Sequence, residues 1–105
     1  MITYFNNLCR GDMALCYKDL PLIPSKTADS ELFRYGLTIE DCIEILEQGY
    51  SPRKRAKGSV EKWLNCGKKT FNVVLIRSHS RYFEKDVWLI THVGCFTTKK
   101  RRKLR

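Results

Sequence analysis

Two short apolar runs dominate the hydrophobic pattern, Phe71–Ile76 and Val87–Val93. Both are rich in β-branched and aromatic residues, and both are too short to span a bilayer, so they read as neighbouring antiparallel strands. Ser59–Asn65 alternates well enough for an outer strand, and Cys66-Gly67-Lys68-Lys69 suits a hairpin loop into Phe71. Upstream the period becomes helical. Ile39, Cys42, Ile43 and Leu46 form one apolar stripe while Glu40, Glu44 and Glu47 face water. Thr38 caps this helix with Asp41 at the third position, a variant of the capping box, and Leu37 stands at the staple position against Cys42. Gly49 and Pro52 stop it.

A shorter helix is expected over 27–35, with Ala28, Leu32 and Phe33 or Tyr35 inward and Gly36 closing it in a left-handed conformation. Pro21 and Pro24 punctuate an extended piece at Leu22-Ile23. Before that the pattern is weak: Ile2, Tyr4 and Phe5 suit a strand, and 13–17 suits a short helix capped by Asp12. Helices followed by strands indicate an α+β fold, two helices packed on one face of a twisted antiparallel sheet. The expected organisation is one domain over 1–98, with 1–20 as an extension packed on it and 99–105 as a basic tail.

Strict alternation along the last strand would put Val87, Leu89, Thr91, Val93 and Cys95 under the helices. Trp88, Ile90, His92, Gly94 and Phe96 would then share the open face.

Composition adds charge to this outline. The chain has 105 residues, 43% hydrophobic and 30% charged, an ordinary globular balance for one domain. Its net charge is +9, of which the terminal KKRRKLR supplies six, so the remainder carries +3. A second basic cluster, Arg53, Lys54, Arg55 and Lys57, follows the longer helix. Two separate clusters point to a polyanionic partner, RNA, DNA or an acidic protein, beyond what a solubilising tail needs. The absence of a long apolar window and of a basic-then-apolar start leads us to expect no membrane association and a cytoplasmic location. Five dispersed cysteines without a C-x-x-C pair argue against a disulfide framework and against structural zinc; Cys42 and Cys95 read as small buried hydrophobes.

The run RYGLTIEDCIEILEQG, a basic loop, and strands ending in VWLITHVGCF resemble a family of small prokaryotic proteins grouped with BrnT and the wider RelE/ParE toxin superfamily. The resemblance covers about 27–96 and rests mainly on Tyr35-Gly36-Leu37-Thr38 and Leu89-Ile90-Thr91. It implies a RelE-like fold, and for function a basic toxin-like domain that acts on messenger RNA at the ribosome, held in check by an antitoxin-like partner. The family's first helix often opens with His-Ala and has Arg four residues after the His. Here those positions hold Thr27-Ala28 and Glu31, which places cleavage in doubt.

Metal-independent RNA cleavage needs a proton-transfer group and cations for the phosphate. The residues offered for it are His92 as general acid or base, with Arg77 and Arg81 as phosphate clamps, and His79 and Tyr82 in reserve. RNA binding would draw on Trp88 or Phe96 as a stacking platform, on Lys57, Arg53 and Arg55, and on Lys99, Lys100, Arg101 and Arg102 of the tail. No cofactor is implied, and the His and Cys spacing fits no metal site. The alternatives are a non-catalytic nucleic-acid-binding module and a protein-interaction domain.

Overall fold

The computed structural model describes residues 15–97. It is an α+β fold with two helices preceding the main strands of a curled five-stranded mixed sheet. The elements are β1 (Cys16–Tyr17), β2 (Leu20–Pro24), α1 (Lys26–Tyr35), α2 (Ile39–Gln48), β3 (Ser59–Cys66), β4 (Lys69–Ser80) and β5 (Lys85–Thr97), in the spatial order β1-β2-β5-β4-β3. The β3–β4–β5 meander is antiparallel, as expected, but β2 runs parallel to β5 through Leu22↔Trp88 and Pro24↔Ile90. The sheet is therefore mixed rather than purely antiparallel. A parallel neighbour needs a crossover: α1 and α2 carry the chain from β2 to β3 at the far edge of the sheet, and the β3–β4 hairpin brings it back to β5 beside β2.

Each helix begins where its sequence provides a cap. Ser25 accepts a hydrogen bond from the Ala28 amide, and Gly36 ends α1 at φ 69°. Thr38 and Asp41 form the reciprocal capping box, with Thr38 N–H donating to Asp41 at 2.9 Å and Asp41 N–H donating to Thr38 at 3.2 Å. From α2, Cys42, Ile43, Ile45 and Leu46 are buried; from α1 only Ala28 and Leu32 are, and Phe33 is fully outside. Burial pushes the Cys42 thiol up to about 12, with the Asp41 charge adding to it, so this cysteine behaves as a small hydrophobe. Cys42, Cys66 and Cys95 are free thiols, whereas Cys16 is disulfide-bonded, which its dispersed spacing did not announce.

The segment expected as a helix over 13–17 is, where described, a strand. Cys16 and Tyr17 pair with Pro21 and Leu20 across the tight turn Lys18-Asp19, where both residues take positive φ (51° and 66°). That turn conformation matches the twist of a two-residue hairpin, although Asn-Gly is its usual sequence signal. Tyr17 belongs to the main core and Leu15 and Leu20 pack against it, so the described part of residues 1–20 packs on the core through a short strand paired with β2.

The other correction concerns β5. Val74 pairs with His92 but Leu75 pairs with Ile90, so Thr91 is an extra residue in β5, and its hydroxyl donates to the Val74 carbonyl. A bulge of this kind shifts the alternation by one. Trp88, Ile90 and Val93 therefore all face the helices with Leu75 and Val73. Val87 and Leu89 lie on the other face, with His92, Gly94 and Phe96. The expected grouping of Val87 and Leu89 with the helices, and of Trp88 and Ile90 with the open face, is reversed. Among the described residues, no helix is long and apolar enough to cross a membrane.

Candidate nucleic-acid interface

After α2, the chain turns along the outer edge of β3. Tyr50 and Trp63 exchange backbone hydrogen bonds of 2.8 and 2.9 Å, which fix the start of the basic loop against the strand. Glu61 anchors the arginines of that loop. Its Oε1 accepts from Arg55 Nε at 3.0 Å and faces Arg53 Nε at 3.5 Å, while Oε2 accepts from the Trp63 indole at 2.9 Å. Only 5% of its side chain is exposed, against 60% for Arg53 and 36% for Arg55. Burial pushes the Glu61 carboxyl up, but hydrogen bonds from Trp63 and Arg55 and the charges of Arg53 and Arg55 outweigh it and leave the acid stronger than usual.

The sign of that shift gives a prediction. A carboxyl whose folded pKa is depressed stabilises the fold above its unfolded value, and the contribution is lost as pH falls through the folded value. Wild-type stability should therefore decline on acidification below 4.5, the ordinary value for this group. Glu61→Gln should flatten that part of the profile in denaturant titrations; an unchanged profile would remove Glu61 as its cause.

Around this anchor lies a cleft of about 490 Å³, lined by Lys18, Arg53, Lys54, Arg55 and Lys62, by Tyr17, and by Glu61 as its one carboxylate. The curl of the sheet brings Lys18 of the β1–β2 turn to the basic loop. Lys18 Nζ lies 5.5 Å above the Tyr17 ring, a cation–π contact that holds it there.

The residues proposed from sequence are distributed differently from expectation. Arg53 and Arg55 line the cleft; Lys57 is exposed in the same loop. Arg77 lies on the helix-facing side, 5.5 Å from the Trp88 ring and 3.6 Å from Asp86, which also faces His79 at 3.4 Å. Trp88 is only 6% exposed, packed on Tyr17 at 6.1 Å, so its ring is part of the core and offers no free face to a base. Arg81 and Tyr82 sit at the exposed β4–β5 turn. His92 occupies the opposite face from Arg77, paired with Val74. Arg81 stands just past the end of β4, whose run from Val74 to Ser80 alone spans about 20 Å at the usual strand rise. The trio His92, Arg77 and Arg81 is therefore not assembled. Lys99, Lys100, Arg101 and Arg102 lie outside the described residues.

His92 nevertheless has a defined environment. Its Nδ1 is 3.1 Å from Glu31 of α1, and the other Glu31 oxygen accepts the Val93 amide at 2.7 Å. One carboxylate thus closes the β5 edge left open where β2 ends and orients the imidazole. A carboxylate only accepts, so Nδ1 is the donor of this pair, and Nε2 points away from Glu31. Nε2 lies over Gly94, where a Cβ would meet it at 3.2 Å and would clash with Asn72 Oδ1. Sequence reasoning marked Glu31 only as a departure from the family pattern.

The register also puts Glu61, Val74 and His92 in one cross-strand row on the open face. Two strand spacings, about 10 Å, separate the Glu61 anchor from His92. Among the described residues, no group of three or more His, Cys, Asp or Glu side chains could hold a metal ion. No family model matches the chain, and neither a curated protein nor a solved structure does.

Proposed function

We propose that this protein binds RNA, with the phosphate backbone held by the cleft between the β1–β2 turn and the basic loop. The observation that carries the reading is the convergence of Lys18, Arg53, Lys54, Arg55 and Lys62 on one cleft whose single carboxylate is already engaged by arginine. Arginine forks suit phosphate oxygens, and lysines add point charge. The tail at 99–105 adds six further positive charges. Phosphate contacts release counterions, so the affinity for RNA should fall linearly on a log–log salt plot, by about 0.7 per contact for single strands. A gel-shift or anisotropy titration at several salt concentrations tests this. Failure to bind RNA at low salt would end the reading and turn attention to an acidic protein segment, such as an antitoxin-like partner, as the ligand of the cleft. In a cytoplasmic setting the Cys16 disulfide would be kept open, so binding should also persist in reducing buffer.

One observation favours a second reading, a toxin-like endoribonuclease that acts without a metal. Glu31 holds His92 by Nδ1 and leaves Nε2 outside that contact, on the face that also bears the Glu61–Arg55 anchor. In this reading Arg53 and Arg55, rather than Arg77 and Arg81, supply the phosphate charge. The test is cleavage of a defined messenger RNA, with and without ribosomes, by wild type, His92→Ala and the chain ended at Thr98. Cleavage lost in His92→Ala supports the enzyme. No cleavage by any form, where a known ribonuclease toxin cuts, leaves the binding module.

A further inference from the structure

Beside the cationic loop, three aromatic side chains form a continuous row on the open side of the sheet. Tyr50 and Trp63 have ring centroids 6.4 Å apart at 59°, and Trp63 and Phe96 are 5.3 Å apart at 76°. Tyr50 is 47% exposed and Phe96 43%, so both rings remain accessible at the ends of the row. Trp63 is only partly buried between them.

The row and the cations are mechanically one unit. Glu61 binds the Trp63 indole with one oxygen and Arg55 with the other, so the ring and the guanidinium are held at a fixed separation by a single buried carboxylate. The backbone bridge between Tyr50 and Trp63 ties the beginning of the basic loop to the same strand. We propose, building on the RNA reading above, that this row is a base-stacking platform and that the ligand is single-stranded RNA. Its bases would lie on Tyr50, Trp63 and Phe96 while its phosphates meet Arg53 and Arg55.

The ring angles decide between single strand and duplex. Bases within a duplex are parallel and covered by their neighbours, whereas rings inclined at 59° and 76° to one another present faces in different directions. Only bases free to splay apart can each lie on such a ring. Stacking on aromatic side chains is indifferent to base identity, so the proposal expects weak sequence preference. An acidic protein segment would satisfy the cations but would leave the row uncovered.

The experiment uses the full chain and three labelled probes: a single-stranded RNA, the blunt duplex of the same sequence, and heparin, a polyanion without bases. Wild type should bind the single strand in preference to the duplex. Tyr50→Ala/Phe96→Ala should weaken single-strand binding about tenfold or more, while heparin binding stays unchanged. Trp63→Phe should abolish the ligand-induced change in tryptophan fluorescence, because Trp88 is buried in the core. Equal wild-type affinity for duplex and single strand, or an aromatic variant that binds the single strand like wild type, overturns the platform and leaves RNA binding standing. Loss of heparin binding in the aromatic variant overturns it too, since the rings would then be supporting the loop. Binding of heparin and of neither RNA overturns the RNA reading itself.

Discussion

Replacing Arg53, Lys54 and Arg55 together by alanine should weaken RNA binding about a hundredfold at 0.1 M salt and leave it nearly unchanged at 1 M. The estimate follows from counterion release: three lost phosphate contacts remove about 2 from the log–log salt slope for a single strand, and one decade of salt separates the two conditions. The three side chains line one cleft, and two of them are already oriented by Glu61, so their loss removes fixed charges rather than mobile ones. Glu61 complicates the triple variant, because removing both arginines strands a carboxylate with 5% side-chain exposure. Its protonated form would then be favoured and the fold weakened. Adding Glu61→Gln to the triple variant separates the effects. If the slope falls by about 2 in the quadruple variant as well, the cations act on the ligand directly. If the slope stays at its wild-type value in both, the cleft is not the phosphate site. Arg53→Lys/Arg55→Lys should keep most of the slope, since charge count governs it, while losing the geometric preference of the arginine fork.

What could be read from the sequence was whatever is written locally. The α2 cap is spelled out by Thr38 and Asp41, its stop by Gly49, and the β3–β4 hairpin by Gly67, which takes φ 63° between Cys66 and Lys69. Arg53 and Arg55 were legible as charge, and the structure places both at one cleft. The bulge at Thr91 was not legible, because strict alternation carries no mark of an extra residue, and one residue of slip exchanges the faces of the side chains before it relative to those after it. The assignment of Trp88 to the open face failed for that reason alone. The parallel pairing of β2 with β5 joins Leu22 to Trp88, a contact too distant in sequence for any window to register. The same holds for Glu31, whose carboxylate meets His92 and the Val93 amide across 61 and 62 positions. Tyr50 and Trp63 were overlooked because Tyr50 stands in an irregular segment and Trp63 reads as ordinary strand filling; their bridge exists only once α2 delivers Gly49 to the edge of β3.

That delivery depends on a glycine, and Gly49→Ala should be among the most damaging single substitutions. Gly49 has φ −80°, a conformation open to any residue, so backbone strain is not the issue. Space is: a Cβ would lie 2.5 Å from both the Ile45 and the Trp63 carbonyl oxygens. Neither can swing away as a side chain would. The Ile45 carbonyl accepts the Gly49 amide at the end of α2, and the Trp63 carbonyl accepts the Tyr50 amide that starts the basic loop. A methyl group there must lever the helix end from β3 and break the Tyr50–Trp63 bridge. We expect a loss of about 3 kcal/mol and a Tm lower by about 15 °C, with a shifted Trp63 emission and weaker RNA binding in the fraction still folded. Gly36→Ala is the control. Gly36 needs its left-handed φ of 69° but has nothing within 4 Å of its missing Cβ. It should cost only about 1–2 kcal/mol and leave Trp63 emission and binding unaltered. A Gly49→Ala protein as stable as Gly36→Ala, with native emission, would mean that α2 and β3 can separate without cost, and that the bridge does not set the position of the loop.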